Sequence, residues 1–293
     1  MTCLLGFPDE AAPAQRLAVA LQLDYAAIEV HRFPDGESRL TLPPALPPTV
    51  VLYRSLDHPD AKLVELLLAT RTARELGAER IILVSPYLCY MRQDMAFHPG
   101  EAVSQRIIGH FLAELVDAAI TVDTHLHRIT RLDEAIPLSQ ACNLSAASLL
   151  GQFLLEQTCE VLLLGPDEES RQWVEQVARQ GDFDFAVADK IRRGDRQVDI
   201  RLPDRDYRQQ HVVLIDDMIS SGHTLAETAK RLHAAGARRV DALCTHALYD
   251  ADAARLLKEA GIETIWSCDS VSHPSNAIQL APLLAATVKT ILK

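Results

Sequence analysis

The sequence lacks the features that mark membrane, secreted and zinc-binding proteins. None of its apolar runs reaches the roughly 18 residues that a membrane-spanning helix needs, and the stretch MTCLLGFPDEAAP turns acidic too early for a secretory signal peptide. Its six cysteines are scattered, without a CxxC pair or a histidine spacing typical of zinc. We therefore expect a soluble, cytoplasmic protein with reduced thiols and no membrane partner.

An excess of basic residues is also missing. The 293 residues carry 40 acidic and 29 basic side chains, a net charge of −11, whereas a nucleic-acid partner normally requires a basic surface. The pattern GxxxxGK[ST] and the protein-kinase motif set are absent, which excludes a P-loop nucleotide site and a protein kinase. No nucleic-acid partner is expected, and phosphate ligands would be bound by local groups.

Short apolar runs alternate with helical patterns along the chain. This alternation is typical of right-handed βαβ units, and it predicts an α/β fold with mostly parallel sheets. With 48% hydrophobic residues, the length favours two domains. We place them at 1–144 and 145–293, with the last helix free to pack on the N-terminal domain. The helices are expected at 60–76, 103–115, 145–156, 168–180, 224–235 and 251–260.

The two halves of the sequence also resemble each other. The stretches ILVSPY and LLLGPD each end an apolar run in a proline turn, and ITVDTH and LIDDM each end one in acidic residues. We interpret these pairs as an approximate repeat of one domain.

The stretch HVVLIDDMISSGHTL, residues 211–225, carries the clearest chemical pattern. Its apolar run 212–215 predicts a strand buried on both faces, which places Asp216 and Asp217 at the carboxyl end of the strand. The hydroxyls and backbone N–H groups of 220–224 then precede a helix, an arrangement typical of anion binding. A ligand with both hydroxyls and a phosphate, most simply a sugar phosphate, fits this pattern. A solvated strand end is the alternative.

The same stretch looks like the phosphoribosyl-diphosphate loop of the type I phosphoribosyltransferase fold. Four further stretches occur in the order found in the ribose-phosphate pyrophosphokinase family: RFPDGES, PYLCYMRQDMAFHPGEAVS, TVDTHLH, and GPD followed by DKIRR. The sequence therefore resembles this family over nearly its whole length. The resemblance implies an α/β protein of two similar phosphoribosyltransferase-like domains, each a mostly parallel sheet flanked by helices.

The resemblance implies an ATP site in the N-terminal half, often shared across a subunit boundary. Without it, residues 34–36 could be an ordinary turn, and Arg92 could form a surface ion pair. The residues that the resemblance assigns to ATP are Phe33, Asp35, Gly36, Glu37, Arg92 and Gln93.

Metal and catalytic residues are likewise implied by the resemblance. His125 and Asp167 would hold Mg²⁺, although a lone histidine more often belongs to a core. Lys190 and Arg192 would belong to a mobile catalytic loop. Arg192 would also contact the phosphate of the substrate. A solvated charged loop is the alternative interpretation of these two cations.

The ribose 5-phosphate site implied by the resemblance extends the pattern found in 211–225. Two departures from the family occur near it. Glu168 and Glu169 add charge near a phosphate site, and His223 stands where the family commonly has glycine, which would strain the backbone if a positive φ were needed there. The residues assigned to ribose 5-phosphate are Arg192, Asp216, Asp217, Ser220, Ser221, Gly222, His223 and Thr224.

Together these implications predict a ribose-phosphate diphosphokinase that uses Mg²⁺ as cofactor. It would transfer the diphosphoryl group of ATP to the 1-hydroxyl of ribose 5-phosphate and assemble as a homodimer or a larger homo-oligomer. Two alternatives stay open: a phosphoribosyltransferase that consumes phosphoribosyl diphosphate, and a catalytically silent paralogue that regulates a synthetase.

Overall fold

The structure is a computed structural model that describes residues 2–126, 128–157, 160–192 and 198–293, with the backbone alone for 190–192 and 198–199. The chain forms two compact units, and each is described by itself. The first comprises 1–144, 270–272 and 279–293; the second comprises 145–269 and 273–278.

The first unit is built on a six-stranded parallel sheet. The strand order is β2-β1-β5-β6-β7-β8, and every neighbouring pair is parallel. The strands of this sheet are β1 (Thr2–Gly6), β2 (Asp24–Ala27), β5 (Thr49–Tyr53), β6 (Arg80–Val84), β7 (Ala118–Val122) and β8 (Ala141–Leu144). The helices of this unit are α1 (Ala11–Leu21), α2 (Pro59–Glu75), α3 (Ser104–Leu115) and α8 (Ala281–Ile291).

The second unit repeats this sheet. Its strand order is β10-β9-β13-β14-β15-β16, again parallel throughout. The strands are β9 (Leu162–Gly165), β10 (Asp184–Val187), β13 (His211–Ile219), β14 (Arg239–Ala247), β15 (Ile262–Cys268) and β16 (Asn276–Ile278). The helices are α4 (Ala147–Gln157), α5 (Arg171–Gly181), α6 (His223–Ala234) and α7 (Ala251–Glu259).

The fully buried strands explain why the alternation of apolar runs and helical patterns in the sequence predicted the fold class. All five residues of β7 are buried, as are Val212 to Ile215 of β13. Parallel strands covered by helices on both faces are continuously apolar, and burial of this surface stabilises the unit by roughly 25 cal/mol per Å². The predicted α/β class with two similar parallel-sheet domains is confirmed.

The repeat itself runs through different elements from those that the sequence suggested. Because the two sheets have the same strand order, β1 corresponds to β9 and β5 corresponds to β13. ILVSPY ends β6 whereas LLLGPD ends β9, and ITVDTH ends β7 whereas LIDDM lies in β13. Neither pair occupies corresponding strands, so both pairings were wrong. The error arose because β1 and α1 at the start of the chain were not predicted from the sequence. The strands of the two halves were therefore matched in the wrong order.

The last helix lies in the first unit, where α8 packs against α1. In the second unit α4 packs against α5 in the equivalent way. Each unit is therefore completed by a helix that follows the final strand of the other unit's sheet along the chain. The six helices expected from periodicity are present with ends shifted by up to three residues, and 168–170 forms a 3-10 turn ahead of α5.

Each unit also has an antiparallel hairpin beside its main sheet. In the first unit β3 (Glu29–Arg32) pairs with β4 (Ser38–Thr41), and in the second β11 (Asp189–Arg192) pairs with β12 (Val198–Arg201). Lys190 and Arg192 therefore lie in a strand, and the prediction of a loop at these two positions was wrong. Their side chains lie outside the described residues, as does the whole of 193–197.

In the described ranges no helix is both long and apolar enough to span a bilayer. Five cysteines lie in these ranges and form no disulfide there: Cys3, Cys89, Cys142, Cys244 and Cys268.

Candidate active site

The acidic pair of the second unit lies inside strand β13 rather than after it. The strand continues to Ile219 because it pairs in register with β14, Asp216 opposite Cys244 and Ile219 opposite Ala247. Asp217 is 2% exposed, and Asp216 is half-buried. The prediction that the strand ends before the acids was wrong, although both acids do lie near its carboxyl end.

Three carboxyl groups are close enough to influence one another here. Burial raises the pKa of Asp216 well above its usual value, and the neighbouring Asp217 and Asp167 carboxylates raise it further. The backbone N–H of Asp217 donates to Asp216 Oδ1 at 3.0 Å, which partly opposes the shift. A site that concentrates negative charge in this way favours hydroxyl donors or a cation as its ligand.

Asp167 is held in place by the turn that follows β9. Its carboxylate accepts the backbone N–H of Ser170 at 3.3 Å, and the Ser170 hydroxyl donates to the Asp167 carbonyl at 2.6 Å. The residue is 9% exposed. Such reciprocal capping orders the turn and presents a carboxylate beside the acids of β13.

The additional acids after Asp167 are partly neutralised within the same turn. Arg171 donates from Nε and Nη2 to the two oxygens of Glu168, at 2.5 and 2.9 Å, and lowers the pKa of that exposed carboxylate. The charge that Glu168 adds relative to the family is therefore balanced locally.

Helix α6 begins directly after the Ser220–Ser221 turn. Its first turn is closed by the bond from the Ala226 N–H to the Gly222 carbonyl at 2.8 Å, and no side chain caps its amino end. The N–H groups of 223–225 precede this bond and have no acceptor within the helix. They form the kind of amino-terminal group that binds phosphate.

The left-handed residue of this turn is Gly222, with φ +72°, and His223 is the first helical residue. The backbone strain considered for His223 is therefore not present. His223 is exposed. A side chain at this position can reach solvent or a ligand without disturbing the helix.

Replacing Gly222 by alanine should damage both stability and phosphate binding. A left-handed φ costs a residue with Cβ about 1–2 kcal/mol, and the new Cβ would lie 3.0–3.2 Å from the Leu257 side chain. We expect a loss of thermal stability of this order, together with an increase in the KM for ribose 5-phosphate. Thermal unfolding and steady-state kinetics measure the two effects.

Gly77→Ala is the matched control, because Gly77 also has a left-handed φ, +108°, and lies in the first unit. It should lose comparable stability and keep the KM for ribose 5-phosphate. Equal changes of KM in both variants would mean that the Gly222 effect is only a loss of fold.

In the first unit the residues of the RFPDGES stretch that were predicted to bind ATP form the tip of the β3–β4 hairpin. Phe33 N–H donates to the Glu37 carbonyl at 2.8 Å, and Glu37 N–H donates to Asp35 Oδ1 at 3.1 Å. Gly36 has φ +94°, which glycine adopts without strain. The Phe33 side chain is 39% exposed and packs edge-on against His31, with ring centroids 4.7 Å apart. The turn and an exposed aromatic surface thus occur together.

Arg92 and Gln93 lie in the segment between β6 and α3. Arg92 is exposed, and the Gln93 side chain donates to the Met95 carbonyl at 3.0 Å. The Gln93 carbonyl accepts the N–H of Gln105 near the start of α3, at 3.1 Å. Gln93 is thus fixed by backbone contacts while the Arg92 side chain faces solvent.

His125 follows β7 in the first unit. The preceding Asp123 has φ +40° and is 5% exposed, and the N–H of Thr124 donates to Asn143 Oδ1 at 3.0 Å. His125 belongs to the first unit and Asp167 to the second, so their joint metal site stays a prediction. Within the described ranges no group of three His, Cys, Asp or Glu side chains is arranged as a metal site.

One group of residues was missed by the sequence analysis. Arg54 follows β5 directly, and it is 1% exposed and paired with acids. The criterion that selected Asp216, a charged residue at the end of an apolar run, also applies to Arg54 and would have found it.

Comparison with known proteins shows which class of domains the chain contains. The model of the N-terminal domain of ribose phosphate pyrophosphokinase matches residues 3–115, and the phosphoribosyl transferase domain model matches residues 136–282. A crystal structure of phosphoribosylpyrophosphate synthetase from Mycobacterium smegmatis superposes with a TM-score of 0.81, covering 99% of this chain and 98% of that one at 21% identity. The fold is thus that of a pair of phosphoribosyltransferase-type domains.

Two curated relatives narrow the class to a family. A ribose-phosphate pyrophosphokinase from Methanopyrus kandleri is 38% identical over 94% of this chain and 95% of its own. One from Methanosarcina acetivorans is 34% identical over 98% of this chain and 99% of its own. The chain belongs to the ribose-phosphate pyrophosphokinase family, which is an enzyme family.

Proposed function

We propose that the protein is a ribose-phosphate diphosphokinase that transfers the diphosphoryl group of ATP to ribose 5-phosphate, giving phosphoribosyl diphosphate and AMP. The observation that carries the proposal is the second unit's pairing of Asp216 and Asp217 with the uncapped amino end of α6. Family membership over both domains supports it.

The substrate ribose would lie across these two features. The carboxyl oxygens of Asp216 and Asp217 accept hydrogen bonds from the ribose hydroxyls. The 5-phosphate binds to the backbone N–H groups at the start of α6 and to the hydroxyls of Ser220, Ser221 and Thr224. The 1-hydroxyl makes none of these contacts and is left for attack on the β-phosphorus of ATP, with AMP as the leaving group.

The nucleotide would bind to the tip of the β3–β4 hairpin, with Phe33 against the base and Asp35 and Glu37 accepting hydrogen bonds. Arg92 would contribute a guanidinium that stacks on the base or forks onto phosphate, and Gln93 would fix the segment that carries it. Lys190 and Arg192 would stabilise the negative charge that is redistributed during transfer, the main requirement of phosphoryl chemistry.

Mg²⁺ is the cofactor that this chemistry calls for, and it neutralises phosphate charge when bound. The oxygen donors beside Asp167 suit a hard cation, and magnesium is usually held by one or two carboxylates together with substrate oxygens and water. We propose Asp167 as a ligand in the second unit. The contribution of His125, a cytoplasmic location and assembly as a homodimer or larger homo-oligomer stay predictions.

The direct test incubates the purified protein with ATP, Mg²⁺ and ribose 5-phosphate and measures AMP and phosphoribosyl diphosphate. We expect both products in equal amounts, and none when EDTA removes the metal. Release of pyrophosphate from added phosphoribosyl diphosphate and a free base would instead identify a phosphoribosyltransferase. A folded protein that forms neither product would support the silent regulatory paralogue.

A further inference from the structure

The first unit contains a group of charged side chains, buried except for Asp9, that the proposed function leaves unexplained. We call it the Arg54 cluster, and its members are Asp9, Glu10, Arg54, Lys62 and Glu65. It lies where β1 and β5 end, the positions that correspond to β9 and β13 of the second unit. The Arg54 cluster therefore stands where the second unit carries its candidate ribose site.

Arg54 is the centre of this cluster. Its guanidinium donates to Asp9 Oδ1 at 2.5 Å and to Glu65 Oε2, and lies 4.1 Å from the centre of the Phe7 ring. Arg54 and Glu65 are each 1% exposed. Nη1 and Nη2 of Arg54 both have carboxylate partners, whereas its buried Nε has none. The two ionic contacts hold the guanidinium in place.

Lys62 is the second cation of the Arg54 cluster. Lys62 Nζ donates to Glu10 Oε1 at 2.9 Å and to the Ser55 carbonyl at 2.9 Å. Burial raises the pKa of Glu10, while Lys62 and Arg54 oppose that shift. The cluster is thus held together by opposite charges at the carboxyl end of the sheet.

The other oxygen of Glu65 reaches out of the cluster to the hairpin. Glu65 Oε1 accepts from Arg32 Nη2 at 2.7 Å and from the Ser38 hydroxyl at 3.4 Å. Arg32 and Ser38 face each other across β3 and β4, and they are the last pair before the 33–37 loop. One carboxylate therefore ties both strands at the base of this loop to the buried Arg54.

We infer that Glu65 is a positioning residue for nucleotide binding, which it serves by fixing the base of the 33–37 loop through Arg32 and Ser38. The inference rests on the proposed function, because it takes the loop to be part of the ATP site. Glu65 itself is 1% exposed, so the role inferred for it runs through Arg32 and Ser38. Its effect is transmitted because a loop held at both strands keeps Phe33 and its neighbours in one arrangement before ATP arrives.

The central test is Glu65→Gln, which retains the shape of the side chain but removes the charge and replaces one of the two acceptor oxygens with an NH2 donor. The variant can therefore accept from Arg54 or from Arg32, but not from both. Arg54 keeps Asp9 as an ionic partner in this variant. We expect the KM for ATP to rise by about tenfold, with the KM for ribose 5-phosphate changed less than about twofold. Hydrogen exchange of the peptide spanning 29–41, measured without ligand, should become faster.

A double-mutant cycle with Arg32 separates positioning from direct contact with ATP. Arg32→Ala leaves the buried Arg54–Glu65 pair intact, since the Arg32 side chain is 56% exposed, so it remains usable even if Glu65→Gln fails to fold. It should raise the KM for ATP to a similar extent, and Arg32→Lys should restore part of the affinity. Because both residues act through one contact, the double variant should be no worse than either single variant.

Arg39→Ala is the matched control within the hairpin. Arg39 is exposed and pairs with His31, one position along each strand from the pair of Arg32 and Ser38. Its side chain therefore points to the opposite face of the hairpin. We expect Arg39→Ala to leave both KM values and the hydrogen exchange unchanged.

Two results for Glu65→Gln would overturn the inference: an unchanged KM for ATP, or equal increases of the KM for ATP and the KM for ribose 5-phosphate. A third is a double variant in which the KM for ATP rises by the product of the two single-variant increases. Phe33→Ala separates this failure from failure of the proposed function. If Phe33→Ala raises the KM for ATP and Glu65→Gln does not, the loop binds ATP and only the role of Glu65 is wrong. If neither variant changes it, the assignment of the loop to ATP is wrong.

Discussion

Replacing Lys190 by alanine should lower kcat by at least ~10²-fold, as removal of one preorganised donor to a charged transition state typically does. Lys190 lies in the β11–β12 hairpin of the second unit, and the proposed function gives it a role at the transferring phosphoryl groups. We expect the KM values for ATP and ribose 5-phosphate to change less than about threefold, because the lost interaction belongs to the transition state. Steady-state kinetics with both substrates measure the effect.

Thermal unfolding of the ligand-free variant distinguishes catalysis from structure. The hairpin forms its own two-stranded sheet, so we expect the free energy of unfolding to stay within about 0.5 kcal/mol of the parent. Lys230→Ala, at an exposed lysine of α6, is the control and should leave kcat unchanged. A near-normal kcat in Lys190→Ala would refute its catalytic role. A large loss of thermal stability in the ligand-free variant would show that Lys190 is a structural residue.

Asp216→Asn should raise the KM for ribose 5-phosphate by about 10- to 100-fold, the equivalent of the 1.5–3 kcal/mol that a hydrogen bond to a charged group contributes. The KM for ATP should change far less, because the altered contact is with the ribose. Kinetics with each substrate varied in turn test this difference. An equal loss of affinity for ATP and for ribose 5-phosphate, with an unchanged fold, would contradict the assignment of Asp216 to the ribose.

The same substitution should not lower the stability of the ligand-free protein. Asp216 lies beside Asp217 and Asp167, and its pKa is raised by both. Removing its charge relieves repulsion among the three carboxylates, so the melting temperature at neutral pH should be unchanged or higher. Asp252→Asn, at an exposed α7 residue paired with Arg255 at 2.9 Å, should leave both KM values unchanged.

Local patterns in the sequence predicted much of the fold. Continuous apolar runs predicted the buried parallel strands because such strands are covered on both faces, and the start of α6 was placed within one residue of its position. The small polar turn after a buried strand also identified the candidate phosphate site. In each case the signal is local, since periodicity and turn residues act over a few positions of the chain.

Several features depended on contacts between distant segments. The strand that carries Asp216 and Asp217 extends to Ile219 because β14 offers partners as far as Ala247, and no pattern within 211–219 encodes that partner. The correspondence of β1 with β9 became visible only from the strand order of the two sheets.

The sequence by itself therefore determined the α/β class, the family and the chemical character of the second unit's site, because apolar periodicity and motif residues are properties of short segments. Tertiary structure alone decided that Gly222 rather than His223 takes the left-handed conformation, since the path from β13 into α6 sets that angle. It also brought Glu65 to Arg32, 33 positions away in the chain. Such a contact exists only after α2 has packed against strand β4 of the hairpin, and side-chain burial then fixes which charges meet.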